Sequence, residues 1–192
     1  MNEKDEIKLV DVENLTDEEL IEEVKNGDIT AFNTIVRRYK NKLYSTLYRI
    51  MKDHDASEEL LQETFIRVYR HRNGYKSTYR FSTWIYTIAL NLMRGYMRKN
   101  KPLVSLEEVN PNALLNDPPT SPDEELKIRL ERAIKTLPVY YKTAFLLREV
   151  DRFTYEEIAK VMKCRIGTAK SRVNRARGML KEKLGKFFAR ER

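Results

Sequence analysis

Five of the six prolines, Pro102, Pro111, Pro118, Pro119 and Pro122, fall within residues 102–122. Each proline fixes φ and removes a backbone donor, so this stretch cannot be a regular helix or an inner strand. Residues 102–125 also carry six acidic groups and no basic one. A proline-rich, acidic and only patchily apolar segment reads as an extended linker, placed here at 102–123. Outside it only Pro138 remains, and six glycines in 192 residues leave little turn-forming material. Low Gly and Pro favour long helices over a turn-rich β fold. The expected architecture is all-α: a mobile tail at 1–14, a helical domain at 15–101, the linker, and a second helical domain at 124–192.

Apolar periodicity fills in the helices. Thr16 with Glu19 has capping-box spacing before Leu20, Ile21 and Val24, and Gly27 is a stop signal. Phe32, Ile35, Val36, Tyr39, Leu43, Leu47 and Ile50 follow the 3.6 period from a start near Asp28 or Thr30. A polar break at Asp53 to Ala56 precedes a third helix to Tyr69, and Asn73-Gly74 marks a turn. Ser82 is the candidate cap for a helix bearing Trp84, Ile85, Ile88, Leu92 and Met93. Beyond the linker, helices are expected from Glu124 to Thr136 and, after Pro138, through Tyr141, Ala144, Phe145, Leu147 and Val150.

Residues 153–177, FTYEEIAKVMKCRIGTAKSRVNRAR, read as two short helices around a tight turn. Thr154 and Glu157 repeat the capping-box spacing. Ile158, Ala159, Val161 and Met162 give the first helix an apolar face. Ile166, Ala169, Val173 and Ala176 do the same for the second, which is otherwise dense in Lys170, Ser171, Arg172, Asn174, Arg175 and Arg177. An apolar face backed by phosphate and base-edge donors is the pattern of a helix-turn-helix whose second helix enters a major groove. A solvated basic face on an ordinary hairpin would give the same pattern.

The net charge of +8 is unevenly spread. Residues 1–28 hold three basic and eleven acidic groups, residues 76–101 six basic and none acidic, and residues 126–192 nineteen basic and seven acidic. Two basic blocks flanking an acidic one suit a polyanion that touches both and avoids the middle. In 75–101 the cations Lys76, Arg80, Arg94, Arg98, Lys99 and Lys101 alternate with Tyr75, Tyr79, Phe81, Trp84, Tyr86 and Tyr96. Rings interleaved with cations suit single-stranded nucleic acid, where stacking is worth roughly 1–3 kcal/mol per base. An aromatic-rich core face is the structural alternative, and Trp84 and Ile88 fit it.

Other classes fit less well. No apolar run approaches the roughly 20 residues of a transmembrane helix, and the N-terminus lacks a signal peptide's apolar region. The single cysteine, Cys164, excludes an intramolecular disulfide and a cysteine metal cluster. It reads as a small residue packed in the turn. His54 and His71 lie in polar surroundings, and the basic blocks lack the carboxylates a nuclease needs. No catalytic residue, metal or cofactor is expected.

Taken together, GDITAFNTIVRRY, LLQETFIRVYR, FSTWIYTIALNLMRGYMRK, LPVYYKTAFLLREVDRFTYEEIA and GTAKSRVNRAR resemble, in order and spacing, successive blocks of bacterial sigma factors of the extracytoplasmic-function (ECF) group. The resemblance spans about Leu20 to Leu184 and is nearest the envelope-stress sigma-E branch. It implies a polymerase specificity subunit built from region 2 and region 4 domains, serving a stress or envelope-response regulon. Glu58, Glu59, Leu61, Gln62, Glu63 and Phe65 would dock on the β′ clamp helices of core RNA polymerase, with the β subunit also in contact. That displaces the simpler reading of the early acids as partners of the helix dipole.

Under the same resemblance, FSTWIYTIALN and a following LMRGYMRK helix melt and read the −10 element. Lys76, Arg80, Trp84, Asn91, Arg94, Tyr96, Arg98 and Lys99 are the candidate contacts. Asn91 sits at the mouth of a pocket for a base flipped from the non-template strand. Arg165, Thr168, Lys170, Ser171, Arg172, Asn174 and Arg175 would read the −35 element of the duplex. A cognate anti-sigma factor is implied, and with it a cytoplasmic protein, not itself membrane-inserted, that can be held at the inner membrane face.

The chain departs from the family where Gly and, two residues on, Pro are common at the turn: it has Lys163 and Arg165. Lys163 would need a left-handed or otherwise costly backbone, since only Gly adopts positive φ freely. The competing reading, a stand-alone helix-turn-helix regulator, accounts for 153–177 but not for the 75–101 block or the linker.

Overall fold

The computed structural model describes residues 12–100 and 122–190. The expected linker at 102–123 therefore lies almost wholly outside the described residues, as do residues 1–11 of the expected tail. Every regular element among the described residues is helical: α1 (Asp17–Lys25), α2 (Ile29–Met51), α3 (His54–Arg70), a 3-10 turn at Arg72–Gly74, α4 (Phe81–Lys99), α5 (Pro122–Lys135), α6 (Val139–Glu149), α7 (Tyr155–Val161) and α8 (Ile166–Arg190).

The helix starts follow local chemistry. Thr16 and Glu19 form the expected capping box on α1, and Gly27, with φ of 94°, ends that helix. Asp28 accepts from the Thr30 and Ala31 amides, and Asp53 from the Ala56 amide, so each aspartate satisfies orphan donors at its helix start. α3 thus begins at His54, two residues before the expected Ala56. α4 is capped from outside. Its N-cap, Arg80, offers no side-chain bond, and the Phe81 amide donates to Glu18 Oε1 of α1 at 2.8 Å. Ser82 is not the cap. The expected break within 81–99 is also absent, because α4 is one continuous helix of 19 residues. Interior Gly95 costs the helix about 1 kcal/mol relative to Ala, which burial of Ala89, Leu90 and Met93 outweighs.

Helices α1 to α4 pack into one bundle around Leu20, Ile35, Leu43, Leu47, Phe81, Ile85 and Leu90. Residues 12–14 of the expected tail pack against it. Val12 is buried, and the Glu13 carbonyl accepts from Arg38 at 2.7 Å while its carboxylate meets Arg37 at 2.9 Å. Helices α5 to α8 form a second bundle, in which α8 packs on α5, α6 and α7 through Ala169, Val173, Ala176 and Leu180.

The bundles are in contact. α7 packs on α4 and α6 on α2, and one continuous cluster of buried side chains runs from Leu20 through Tyr86 and Phe153 to Val173. Tyr86 and Phe153, each nearly fully buried with ring centroids 4.8 Å apart, are apolar surface that neither bundle covers alone.

Candidate nucleic-acid interface

The helix-turn-helix is built as its sequence spacing predicts at the start and differently at the end. Thr154 Oγ1 accepts from the Glu157 amide at 3.2 Å, and Glu157 Oε2 accepts from the Thr154 amide at 2.8 Å, closing the capping box on α7. Lys163 does take the left-handed backbone, with φ of 50°, and the Cys164 amide bonds back to the Ala159 carbonyl at 2.8 Å. Cys164 is half-buried against the core. The second helix is not short, since α8 runs for 25 residues. Ala169, Val173 and Ala176 are fully buried as expected, whereas Ile166 is 43% exposed because it precedes the first turn packed on α7.

The opposite face of α8 is open. Arg165, Lys170, Ser171, Asn174 and Arg175 are exposed, and Thr168 and Arg172 are partly so. Ser171 spends its hydroxyl on the Thr168 carbonyl at 3.0 Å. The Arg172 guanidinium lies 5.2 Å from the centre of the Tyr140 ring, and Arg175 reaches the Tyr141 hydroxyl at 3.3 Å. Ring and hydroxyl restrict the rotamers open to these two long side chains. Arg177 differs: Nε at 3.0 Å and Nη2 at 2.5 Å both donate to Glu149 Oε1, which pushes the guanidinium pKa up and ties it to the fold.

On the first bundle, α3 presents Glu58, Glu59 and Gln62 to solvent, with Leu61 and Glu63 half-buried. Glu63 accepts from Arg67 at 2.6 Å, one helical turn on. Phe65 does not lie on that face; it is 8% exposed and belongs to the core, so it stiffens the ridge from beneath.

α3 and α4 enclose an open cleft of about 790 Å³. Glu59, Gln62 and Arg67 line one wall, and Asn91, Tyr96 and Lys99 the other. The structure thus brings two groups that the sequence keeps thirty residues apart onto one groove. Asn91 Oδ1 accepts from Arg94 Nη1 at 3.1 Å. Arg98 and Lys99 are exposed at the end of α4, as are Lys76 and Arg80 before its start.

The aromatic half of the 75–101 block is mostly core. Tyr75, Phe81 and Tyr86 are buried, and Trp84 is half-buried against Tyr75 and Phe81 at centroid distances of 5.3 and 5.8 Å. Tyr79 is the exposed ring, and Tyr96 is partly so. Fewer rings are free to stack on bases than the interleaving suggests, because the same rings fill the wedge between α1, α2 and α4.

Nothing in the sequence singles out Asp151, yet in the structure it is bonded to both α2 and α4 of the first bundle. Its Oδ1 accepts from the Tyr86 hydroxyl at 2.7 Å and its Oδ2 from Thr46 at 3.0 Å. Burial raises the Asp151 pKa above the ordinary carboxylate value, against the lowering pull of both hydroxyls and of Arg49 and Lys42. Among the described residues no group of three or more His, Cys, Asp or Glu side chains could hold a metal ion, and no helix is long and apolar enough to cross a membrane.

Comparison with known proteins accounts for this pairing of a cleft-bearing bundle with a helix-turn-helix. The family model for sigma-70 region 2 matches residues 35–102, and that for sigma-70 region 4 matches residues 127–180. The chain belongs to the ECF group of RNA polymerase sigma factors. It is 37% identical to the ECF RNA polymerase sigma-E factor of Haemophilus influenzae over 90% of this chain and 97% of the relative. It is 35% identical to the Escherichia coli ECF RNA polymerase sigma-E factor over 93% of this chain and 99% of that one. Among solved structures it is similar to the sigma factor RpoE from Bartonella quintana, crystallised with the anti-sigma factor NepR. That match has a TM-score of 0.66 and 25% identity, covering 82% of this chain and 98% of the other.

Proposed function

We propose that this sigma factor docks on core RNA polymerase through the acidic ridge of α3, reads the −10 element with α4 and reads the −35 element with the first half of α8. The single observation carrying the reading is the shared cleft between α3 and α4. Its acid wall offers Glu59 and Gln62 to a protein partner, and its other wall offers Asn91, Tyr96 and Lys99 to an extruded base. Extrusion costs a few kcal/mol of unstacking, so donors and a ring must already be in place to offset it. Lys76, Arg80, Arg94, Arg98 and Lys99 supply the phosphate contacts around it, and Trp84 buttresses the helix. Arg165, Thr168, Lys170, Ser171, Arg172, Asn174 and Arg175 form the duplex-reading face.

In this reading the chain binds and remodels DNA without catalysing a reaction and needs no metal or cofactor. It works in the cytoplasm, where the polymerase is, serves a stress or envelope-response regulon, and is restrained by a cognate anti-sigma factor of the kind its structural neighbour carries. The stand-alone regulator reading leaves the region 2 match without a role.

Reconstitution with core polymerase tests the proposal. The holoenzyme is expected to start transcription at a defined set of promoters, found by sequencing transcript 5′ ends. Arg172→Ala should lower that transcription at least tenfold with core affinity unchanged, while Glu59→Lys should weaken core binding. Specific binding of a promoter duplex by the free chain, with no effect on core polymerase, would overturn it.

A further inference from the structure

We propose that the groove between α2 and the α5–α6 pair is a binding site for a small amphipathic anion, a phosphate monoester on a hydrocarbon body. The site shares no residue with the faces assigned above to polymerase or DNA and does not depend on those assignments.

The cavity there holds about 480 Å³, the size of a small-molecule site. One wall is hydrocarbon: Leu130 and Ile134 of α5, Phe145 of α6 and Val150 just beyond it. Tyr44 and Tyr48, one turn apart on α2, add a shelf of two near-parallel rings, with centroids 5.9 Å apart and 6° between their planes. Val150 and Tyr48 leave 45% and 38% of their surface in water, so apolar area remains to be covered. The neutral polar lining is Ser45 and the two phenols, too little to read the edge of a nucleobase. The shape and lining therefore select a hydrocarbon body.

Charge selects the head group. Arg49 and Lys52 of α2 and Lys127 of α5 line the cavity, and Lys135 and Lys142 act on Lys52 or feel its charge. Lys142 stands one and two turns before Phe145 and Glu149 on the same face of α6 and is 5% exposed. Burial and the like charge of Lys52 pull its pKa down to about 8. Burial and Lys135 lower that of Lys52, with Glu131 opposing and Arg49 adding. Five cations thus gather around two carboxylates, Glu131 and Glu149, and Glu149 already accepts from Arg177 at 2.5 Å. An anion among them relieves like-charge repulsion, and a dianionic phosphate relieves more of it than a carboxylate. Apolar walls around charge of one sign focus that field on the cavity.

The cavity is also separate from the contact between α4 and α7, where Arg94 Nη2 donates to the Val161 carbonyl at 2.6 Å and Arg80 Nη1 lies 3.7 Å from Glu157 Oε1. Substitutions in the groove leave that contact in place.

Isothermal titration calorimetry of the full chain with n-octyl phosphate tests the site. Inorganic phosphate supplies the head group alone, octyltrimethylammonium the chain on a cation, and AMP the head group on a polar ring. Octyl phosphate should bind at least about tenfold more tightly than each of these. Lys52→Glu and Lys142→Met should each weaken it by about tenfold or more. Lys142→Met removes an unfavourable buried charge and should melt no lower than the wild type, so its loss of binding is separable from misfolding. Undetectable binding of octyl phosphate, equal binding of octyltrimethylammonium, tighter binding of AMP, or full affinity in both variants would overturn the proposal. Transcription by the holoenzyme reads the functional assignment separately, so that assignment stands or falls independently of these titrations.

Discussion

The Tyr86 phenol and the Asp151 carboxylate meet at 2.7 Å across the boundary between two helical bundles that the family models treat as separate regions. Thr46 reaches the same carboxylate from α2 at 3.0 Å, so one loop residue joins α2, α4 and the helix-turn-helix.

That bond should make packing depend on pH. Burial holds the Asp151 carboxyl above its ordinary value of 3.8 in the packed form. The packed form therefore binds the proton more tightly than an open form with a solvated carboxyl. Packing should strengthen as pH falls through the range just above the ordinary carboxylate value and weaken as pH rises through it. Asp151→Asn keeps an acceptor, removes the charge and should give compact chains at every pH. Small-angle scattering followed from pH 7 down toward the ordinary carboxylate value reads both.

Lys142 should behave in the reverse sense. Burial, with Lys52 adding to it, pushes its pKa down from 10.5 to about 8. A depressed ammonium costs up to about 3 kcal/mol at neutral pH, fully present below pH 8 and relieved as pH rises toward 10.5. Lys142→Met should raise Tm at pH 7 by about 3 to 8 °C and flatten the rise in stability between pH 8 and 10. Differential scanning calorimetry across that range measures it.

Lys163 sits at φ of 50°, where a side chain costs about 1 kcal/mol that glycine avoids. Lys163→Gly should stabilise the chain by about 0.5 kcal/mol once the extra freedom of the unfolded glycine is deducted, and Lys163→Ala should not. Paired thermal melts of the two variants separate backbone relief from loss of the lysine side chain.

Asn91 lines the cleft and holds Arg94 at 3.1 Å. Asn91→Ala should slow opening of a duplex promoter by about tenfold, equivalent to 1.4 kcal/mol, and affect a pre-melted template much less. Equal losses on both templates would assign Asn91 a binding role rather than one in strand separation.

Local chemistry was readable from the sequence wherever it decides structure within one turn. The Thr16 and Thr154 capping boxes and the stop at Gly27 stand where spacing puts them, and Lys163 is left-handed where the family resemblance points to a glycine position. What spacing cannot carry is which element meets which. Glu18 reads as one acid among many near a helix start, yet it caps α4 from another helix. The resemblance places Phe65 with the docking residues of α3, yet its position turns inward with Leu60 and Val68. Asp151 reads as a loop acid, since only packing of the bundles brings Tyr86 and Thr46 to it. The rings of 75–86 are ambiguous for a related reason: stacking on a base and filling a core ask for the same residues.

The contact of Arg80 with Glu157, and of Arg94 with Val161, has a consequence for a chain with a net charge of +8. Bulk chromosomal DNA is an enormous reservoir of non-specific sites that competes for any cationic protein. With Arg94 held on the Val161 carbonyl and Glu157 placed near Arg80, the unbound chain offers that reservoir less free positive charge. More of it remains diffusible and able to find a polymerase.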